Sequence, residues 1–441
     1  MVLYCALLMV SVLMGSQILA IPTPLAQITL YRLLALGVVP ILILQVWTEN
    51  PSIKFLPRSI ASRVLLIYLI WWLLAALSGF WAVDGKDWFQ VIFLMTLGIF
   101  SVLAFYFWVD TWTKWQQILQ AAWWGMTALV IWGYFEIITN TYLLADLTKL
   151  DKYRTFASQP MTRIPITTFA NQNDYATLLL AYLVVCACLY FIKSGFIQRI
   201  IYLLMYLLAT YLIYRTDSRM SLICTLAFSL WWAMRSLKWD FTKRQIVQGL
   251  LGVGLTIGML LLVPKIREKV ASIIYLSGPS AHLSGDAKRM NIWRNGLLFL
   301  GQTYGFGVGA GNIEVWAKNS GFWPTNEITN MHNWWLEILV STGVVPFILY
   351  VWGYFSLTRR LSFFASLRKH RIQADVAYCL VGFLLVFILG SITSANNMLI
   401  EWHWVFFALI IAFVKIIDQD VQLEAATSLN LANIGKSQQL Y

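Results

Sequence analysis

The stretch from Met331 to Val344, MHNWWLEILVSTGV, puts His332 and Asn333 directly ahead of a long apolar run. If Asn330 caps the helix that follows, His332 falls in its first turn, where free backbone N–H groups and the positive end of the helix dipole face outward. Such an end attracts anions and keeps a nearby imidazole neutral. Taken alone, His332 reads better as an interfacial histidine at a membrane boundary. Only convergence with other groups separates the two readings.

Two cationic stretches invite that convergence. In YRTDSRMSL, Arg215 and Arg219 flank a joint between apolar runs, and Ser218 or Asp217 can cap the second run, leaving Arg219 in its first turn. The helix dipole repels a cation there, and a bound anion would resolve the conflict. An ion pair of Asp217 with either arginine explains the same charges. In DAKRMNIWRNGLLFL, Asp286 suits the cap, and Met290, Trp293, Leu297 and Leu300 recur at helical spacing. That predicts an amphipathic interfacial helix with Arg289 one turn before Trp293 and with Lys288 and Arg294 to its sides. A basic interfacial helix can also bind anionic lipid heads with no specific site. FANQNDYA offers Asn171 and Asn173 as helix caps; facing a cavity shared with His332, they would orient sugar hydroxyls.

Other chemistries lack their residues. YGFGVGAGN has glycine at 305, 307, 309 and 311 but no Lys-Ser/Thr ending and no βαβ surroundings, so it reads as a tightly turning or flexible loop. There is no HExxH and no closely spaced His/Asp set, so no metal is expected. His282 is isolated, His370 lies in a basic cluster, and His403 lies in the last span near Glu401, where a buried polar contact is the favoured reading. Cys5, Cys186, Cys188, Cys224 and Cys379 fall inside expected spans with no redox or zinc spacing, and read as apolar fillers.

The elements that must position these groups are membrane helices. Of 441 residues 59% are hydrophobic and 12% charged, about half the charge of an ordinary soluble domain. The net charge of +12 sits in clusters between apolar runs, which argues for topology signals and against nucleic acid. At about 20 apolar residues per span, the chain reads as all-α with about twelve transmembrane helices: 2–20, 25–47, 61–80, 88–108, 116–139, 172–192, 199–214, 219–237, 245–263, 332–357, 374–393 and 398–417. Lys and Arg fall in alternate joints, at Lys54/Arg58/Arg63, Lys193/Arg199, Arg235/Lys238/Lys243/Arg244 and Arg359/Arg360/Arg368/Lys369/Arg371, placing those joints and both termini in the cytoplasm. Two long segments, 140–171 and 264–331, then lie outside. Both carry basic residues that topology does not demand: Lys149, Lys152, Arg154 and Arg163 in the first, and Lys265, Arg267, Lys269, Lys288, Arg289, Arg294 and Lys318 in the second. Residues 1–417 read as one membrane domain and 418–441 as a flexible cytoplasmic tail. Many of the 22 tryptophans, including Trp71, Trp72, Trp81, Trp88, Trp123, Trp124 and Trp402, fall near span ends as an interfacial belt would, while Trp316 and Trp323 lie outside, where they could stack on sugar.

The ordered set FANQND, TDSRMSL, RMNIWRNG with GFGVGAGN, and MHNWWLEILVSTG, over roughly residues 165 to 350, resembles the O-antigen ligase and polymerase superfamily of bacterial membrane glycosyltransferases. HNWWLEIL is most similar to members that polymerise surface polysaccharides, such as teichuronic acid and exopolysaccharide polymerases. The resemblance implies a C-type membrane glycosyltransferase in the bacterial plasma (inner) membrane, with its active site on the external face. It implies transfer of a glycan from an undecaprenyl diphosphate-linked oligosaccharide to a sugar hydroxyl, with no metal and no cofactor. By motif, Arg219 and Arg289 would grip the diphosphate, with Arg215, Arg294, Asn171, Asn173 and Asn333 as further donor or acceptor contacts. His332 would take the acceptor proton during an inverting attack, or donate to the diphosphate. Within that chemistry, repeat-unit polymerisation leads and ligation of finished polysaccharide to lipid A core or another surface acceptor follows. A flippase also suits about twelve spans, but it should show paired half-sequences or Gly/Pro-broken spans in matching positions, and the sequence offers neither.

Overall fold

The computed structural model describes residues 1–15, 18, 20–21, 27–48, 55–56, 59–237, 264, 268, 285–325, 328–367, 370–392 and 399–438, with side chains from 287 in the helix that begins at 285 and up to 422 in the last helix. The span expected at 245–263 lies outside the described residues, as do Lys54, Arg58, Lys238, Lys243, Arg244, Lys265, Arg267, Lys269, His282, Arg368 and Lys369.

Helix follows helix: α1 Val2–Ser11, tightened to a 3-10 turn through Met14, α2 Leu30–Trp47, α3 Ile60–Leu77, α4 Gly85–Trp108, α5 Trp112–Thr139, α6 Gln172–Ile192, α7 Phe196–Arg215 and α8 Arg219–Ser236. After the undescribed stretch come α9 Gly285–Gln302, α10 Ile313–Ser320, α11 Trp334–Thr342, α12 Val344–Ala365, α13 Arg371–Gly390 and α14 Glu401–Gln438. Short polar side chains open six of them: Thr29, Ser59, Asp84, Thr111, Asn171 and Asn333 each accept a backbone N–H of the first turn. Among the described residues, seven helices are long and apolar enough to cross a membrane, so this is an integral membrane α protein.

Helix ends gather on two faces. On one, Asp418 accepts from Ile60 N–H and Arg360, Arg235 pairs with Asp375, and Lys415 donates to Tyr106 carbonyl oxygen. The described basic joints meet here, in the alternation expected from the charge pattern. On the other face Gly15 abuts Thr168, Arg32 pairs with Glu401 at 2.6 Å, and the turn after α3 is bonded to the glycine loop through Trp81 and Ser78. The Arg32–Glu401 pair joins segments far apart in sequence and fixes where α14 begins.

Three expectations about these elements need correction. The span 332–357 is two helices broken at Gly343, whose φ of +92° no helical residue adopts. The segment from Asp418 is not a polar tail at its start, because Asp418 is 1% exposed and α14 runs on to Gln438. Several tryptophans expected in an interfacial belt are core residues: Trp71, Trp123 and Trp402 are buried, and Trp71 stacks on Trp404 with ring centroids 5.4 Å apart. Aromatic rings fill the space between α3, α11, α12 and α14, with Trp334 donating to the Tyr350 hydroxyl at 2.8 Å. All five cysteines are buried free thiols, as expected of fillers.

Candidate active site

His332 lies one residue outside the helix it introduces. Asn333, not Asn330, is the cap of α11: its backbone is extended, and its Oδ1 accepts Trp335 N–H at 3.1 Å and Leu336 N–H at 3.3 Å. The Trp334 N–H donates to Ser391 carbonyl oxygen at 3.1 Å, at the end of α13. The first-turn donors of α11 are therefore used within the protein, and the anion-binding helix end expected from the sequence is already satisfied. His332 itself takes a left-handed backbone with φ 47°, a conformation uncommon for residues with a Cβ. The residue is half-exposed, with its Nδ1 shielded from solvent.

Arg289 and Arg294 ride on α9, which starts at Gly285; the side chain of the expected cap Asp286 lies outside the described residues. The buried face of α9 is Asn291, Ile292, Asn295, Gly296 and Phe299, not the expected stripe Met290, Trp293, Leu297 and Leu300. The reason is hydrogen bonding. Asn295 accepts from Phe322 and Trp323 N–H and donates to Trp323 carbonyl oxygen, and Asn291 donates to Pro324 carbonyl oxygen, so two buried amides clamp the 322–324 loop. Trp293, one turn after Arg289, donates its indole N–H to Met331 carbonyl oxygen at 3.1 Å, immediately before His332. Arg289 is half-buried, and its side chain makes no hydrogen bond or ion pair to another described residue. Trp316 and Trp323, the candidate sugar platforms, pack on Phe299 and Phe322.

Arg219 opens α8 and is exposed. Ser218 occupies the cap position but gives its hydroxyl proton to Ser221 Oγ at 3.0 Å instead of accepting from the backbone, so α8 starts without a side-chain cap. No ion pair ties Asp217 to either arginine among the described residues. Along α8, Cys224 donates to Val386 carbonyl oxygen, Trp231 to Tyr378 carbonyl oxygen, and Arg235 pairs with Asp375. This descending register makes α8 antiparallel to α13 and carries Arg219 to the Gly390–Ser391 end, where Trp334 is bonded. Arg219, Arg289 and His332 thus belong to the same end of the bundle.

The other expected contacts divide. Asn171 caps α6 by accepting Asn173 N–H at 2.8 Å, and the Asn173 carbonyl oxygen accepts from Thr177; both asparagines are half-exposed. Arg215, expected to touch donor or acceptor, is 8% exposed and donates to Tyr211 Oη and to the carbonyl oxygens of Pro160 and Arg163. Arg163 in turn donates to Phe156, Ile137 and Ile138 carbonyl oxygens, closing the end of α5. Glu136, fully buried, accepts from Ile166 and Thr167 N–H. Tyr142 donates to Ile164 carbonyl oxygen, and burial pushes its phenol up, keeping the proton in place. These residues fold the 140–171 segment against the bundle, so Arg163 and Arg215 serve the backbone where the sequence suggested a ligand. Glu401 pairs with Arg32 and not with His403, which sits among Trp402, Phe387 and Trp334 rings.

The glycine loop is a joint. Val308 and Gly309 N–H donate to Val340 and Ser341 carbonyl oxygens, and Val344 N–H to Gly305 carbonyl oxygen, docking the loop into the break between α11 and α12. A Cβ on Gly307 would stand 2.6 Å from Gly343 N, and one on Gly311 2.5 Å from Asp87 carbonyl oxygen. Beside that joint lies a cavity of about 200 Å³ lined by Asp87, Gln90, Gly311, Glu314, Asn330, Met331, Glu337 and Ser341, among others. Sequence reading missed its three carboxylates. Each sits in the first turn of a different helix, which dipole compensation alone would explain. Their convergence is visible only in three dimensions.

Residues 204–351 match a family model described as O-antigen ligase. That range contains Arg215, Arg219, Arg289, Arg294, His332 and Asn333, and leaves Asn171 and Asn173 outside. The chain is also 28% identical over 369 residues to a teichuronic acid biosynthesis protein of Bacillus subtilis (strain 168), covering 82% of this chain and 73% of the relative. Both findings support the O-antigen ligase and polymerase superfamily.

Proposed function

Starting from that superfamily, we propose that this membrane protein is a metal-independent, inverting glycosyltransferase of the bacterial plasma membrane. It takes a glycan from an undecaprenyl diphosphate-linked donor and places it on a sugar hydroxyl at the external face, extending a surface polysaccharide by repeat units. Arg219 and Arg289 hold the donor diphosphate and offset the charge that grows on it as the glycosidic bond breaks. His332 takes the acceptor proton, or donates to the diphosphate if the base lies elsewhere. Arg294, Asn171, Asn173 and Asn333 flank the site, and Arg215 supports it through the 160–163 backbone.

The observation that carries this reading is the hydrogen-bonded frame around residues 331–334: Met331 is tied to the arginine-bearing α9, and Trp334 to the end of α13 beside the start of α8. Two arginine side chains with no hydrogen-bond or ion-pair partner among the described residues, and one imidazole, are thereby gathered at one end of an apolar bundle. The α8 start has no side-chain cap, so the positive end of its dipole lies next to Arg219. The description of the matched family model favours a second reading, ligation of finished polysaccharide to lipid A core or another surface acceptor.

Reconstitution with a lipid diphosphate oligosaccharide, in the presence of chelator, tests both. A ladder of lengthening lipid-linked chains is expected. A single conjugate formed only when a distinct acceptor is added would replace polymerisation by ligation, and dependence on added metal would overturn the mechanism.

A further inference from the structure

The cavity beside Met331 has a chemistry opposite to that of the arginine site. Asp87 and Glu314 come from the first turns of α4 and α10, and Glu337 from that of α11; Gln90, Asn330 and Ser341 complete its polar lining. The three elements are locked together: Asn312 Oδ1 accepts Asp84 N–H at 2.6 Å, Asn312 Nδ2 donates to Asp84 carbonyl oxygen, and the glycine loop bonds to the end of α11. A preformed site of this kind needs no reorganisation to bind. Among its lining atoms, Asn330 Oδ1 is shielded from solvent and has no hydrogen-bond partner among the described residues. A buried acceptor left without a donor costs about 1–3 kcal/mol, and a ligand carrying hydroxyl or amide donors would satisfy it.

We propose that this cavity is the acceptor subsite of the reaction proposed above, and that it selects a neutral, hydroxyl-rich sugar ring while rejecting a uronate. About 200 Å³ falls below the roughly 300–1,000 Å³ of pockets that enclose drug-sized ligands, which suits one pyranose and not a longer glycan. Carboxylates and amide oxygens accept from sugar hydroxyls, and three carboxylates around one ring repel a fourth. Asn330 and Met331 line the cavity and His332 follows them in the chain, so a hydroxyl of the ring held there would be presented towards the imidazole. The site thus joins a cationic part for the donor diphosphate and an anionic part for the acceptor sugar. This inference rests on the glycosyl-transfer reading for its word acceptor, but not for its ligand class.

The test uses the full-length protein in detergent or lipid, with methyl β-glucoside, methyl β-glucuronide and methyl glucosaminide as probes and saturation-transfer NMR as a readout independent of turnover. The neutral glycoside is expected to bind at least tenfold more tightly than the glucuronide. The Asp87→Asn/Glu314→Gln protein should narrow that ratio by about tenfold, and Gln90→Trp, which fills the cavity from its exposed rim, should abolish binding. In reconstituted transfer, Gln90→Trp should raise the acceptor KM and leave the donor KM unchanged. Equal binding of glucoside and glucuronide, or a ratio that the two amide substitutions do not move, overturns the proposal. Binding of the glucosaminide or of Ca²⁺ without binding of the glucoside also overturns it and makes the cavity a cation site. If the probes bind as expected but the wild type transfers no glycan, the functional reading fails while the sugar site stands.

Discussion

Asn333 and His332 divide between them what one helix start was expected to do. The asparagine satisfies backbone donors of the first turn, and the histidine stands one residue before it in a left-handed turn. Removing the cap in Asn333→Ala should cost about 1 kcal/mol of stability and disturb the left-handed turn at His332. A melting temperature lowered by a few degrees and a larger fall in kcat are expected, with Asn333→Asp restoring both because it keeps the accepting oxygen. Equal kcat for the two variants would separate the cap from catalysis. The sequence contains two asparagines three apart, Asn330 and Asn333, and local rules rate both as caps. The choice is made by Ser391, whose carbonyl takes the Trp334 N–H from 57 residues away in the chain. The same holds for Arg215 and Arg163. Their charge was legible, but their engagement with carbonyls of a folded-back segment was not, because loop closure has no periodic signal.

At the scale of elements, the break at Gly343 is what lets α11 stand apart from α12 and carry residues 331–341 past the glycine loop. Gly343→Ala adds a Cβ that would lie 2.5 Å from Phe306 carbonyl oxygen, at a φ of +92°. Left-handed strain contributes roughly 1–3 kcal/mol before any clash. Loss of melting temperature and of turnover together is expected; a variant with wild-type stability and turnover would mean that the joint tolerates a straight helix. Spans were legible wherever a clean apolar run met a polar cap: α6 occupies residues 172–192 and α8 ends one residue from its expected limit. The 332–357 run hid its break because a single glycine in an apolar stretch is compatible with a continuous membrane helix. The face of α9 was misread since its two buried asparagines are polar in sequence and satisfied only by the 322–324 backbone.

For the whole molecule, alternation of basic joints predicts the orientation of the bundle, and hydrogen bonds gather helix ends on two faces. Labelling from either side of sealed vesicles, in a background with the five buried cysteines replaced, checks the orientation. Lys86→Cys, on the arginine-site end, should react from outside, and Ser194→Cys only after permeabilisation; the reverse pattern would put the site on the cytoplasmic face. The convergence of three carboxylates from three helix starts had no signal in the chain, because each one alone is what a helix N-terminus prefers. The central claim is that Arg219 and Arg289 grip one diphosphate beside His332. A double-mutant cycle on reconstituted transfer addresses it most directly, comparing wild type, Arg219→Ala, Arg289→Ala and the double variant in chelator. Each single change should lower kcat/KM by about 10–100-fold, the loss of one charged hydrogen bond of roughly 1.5–3 kcal/mol. If both hold the same group, the double variant should fall short of the product of the two losses by a coupling of at least about 0.5 kcal/mol. Full activity in either single variant, or losses that multiply strictly, would contradict the shared site.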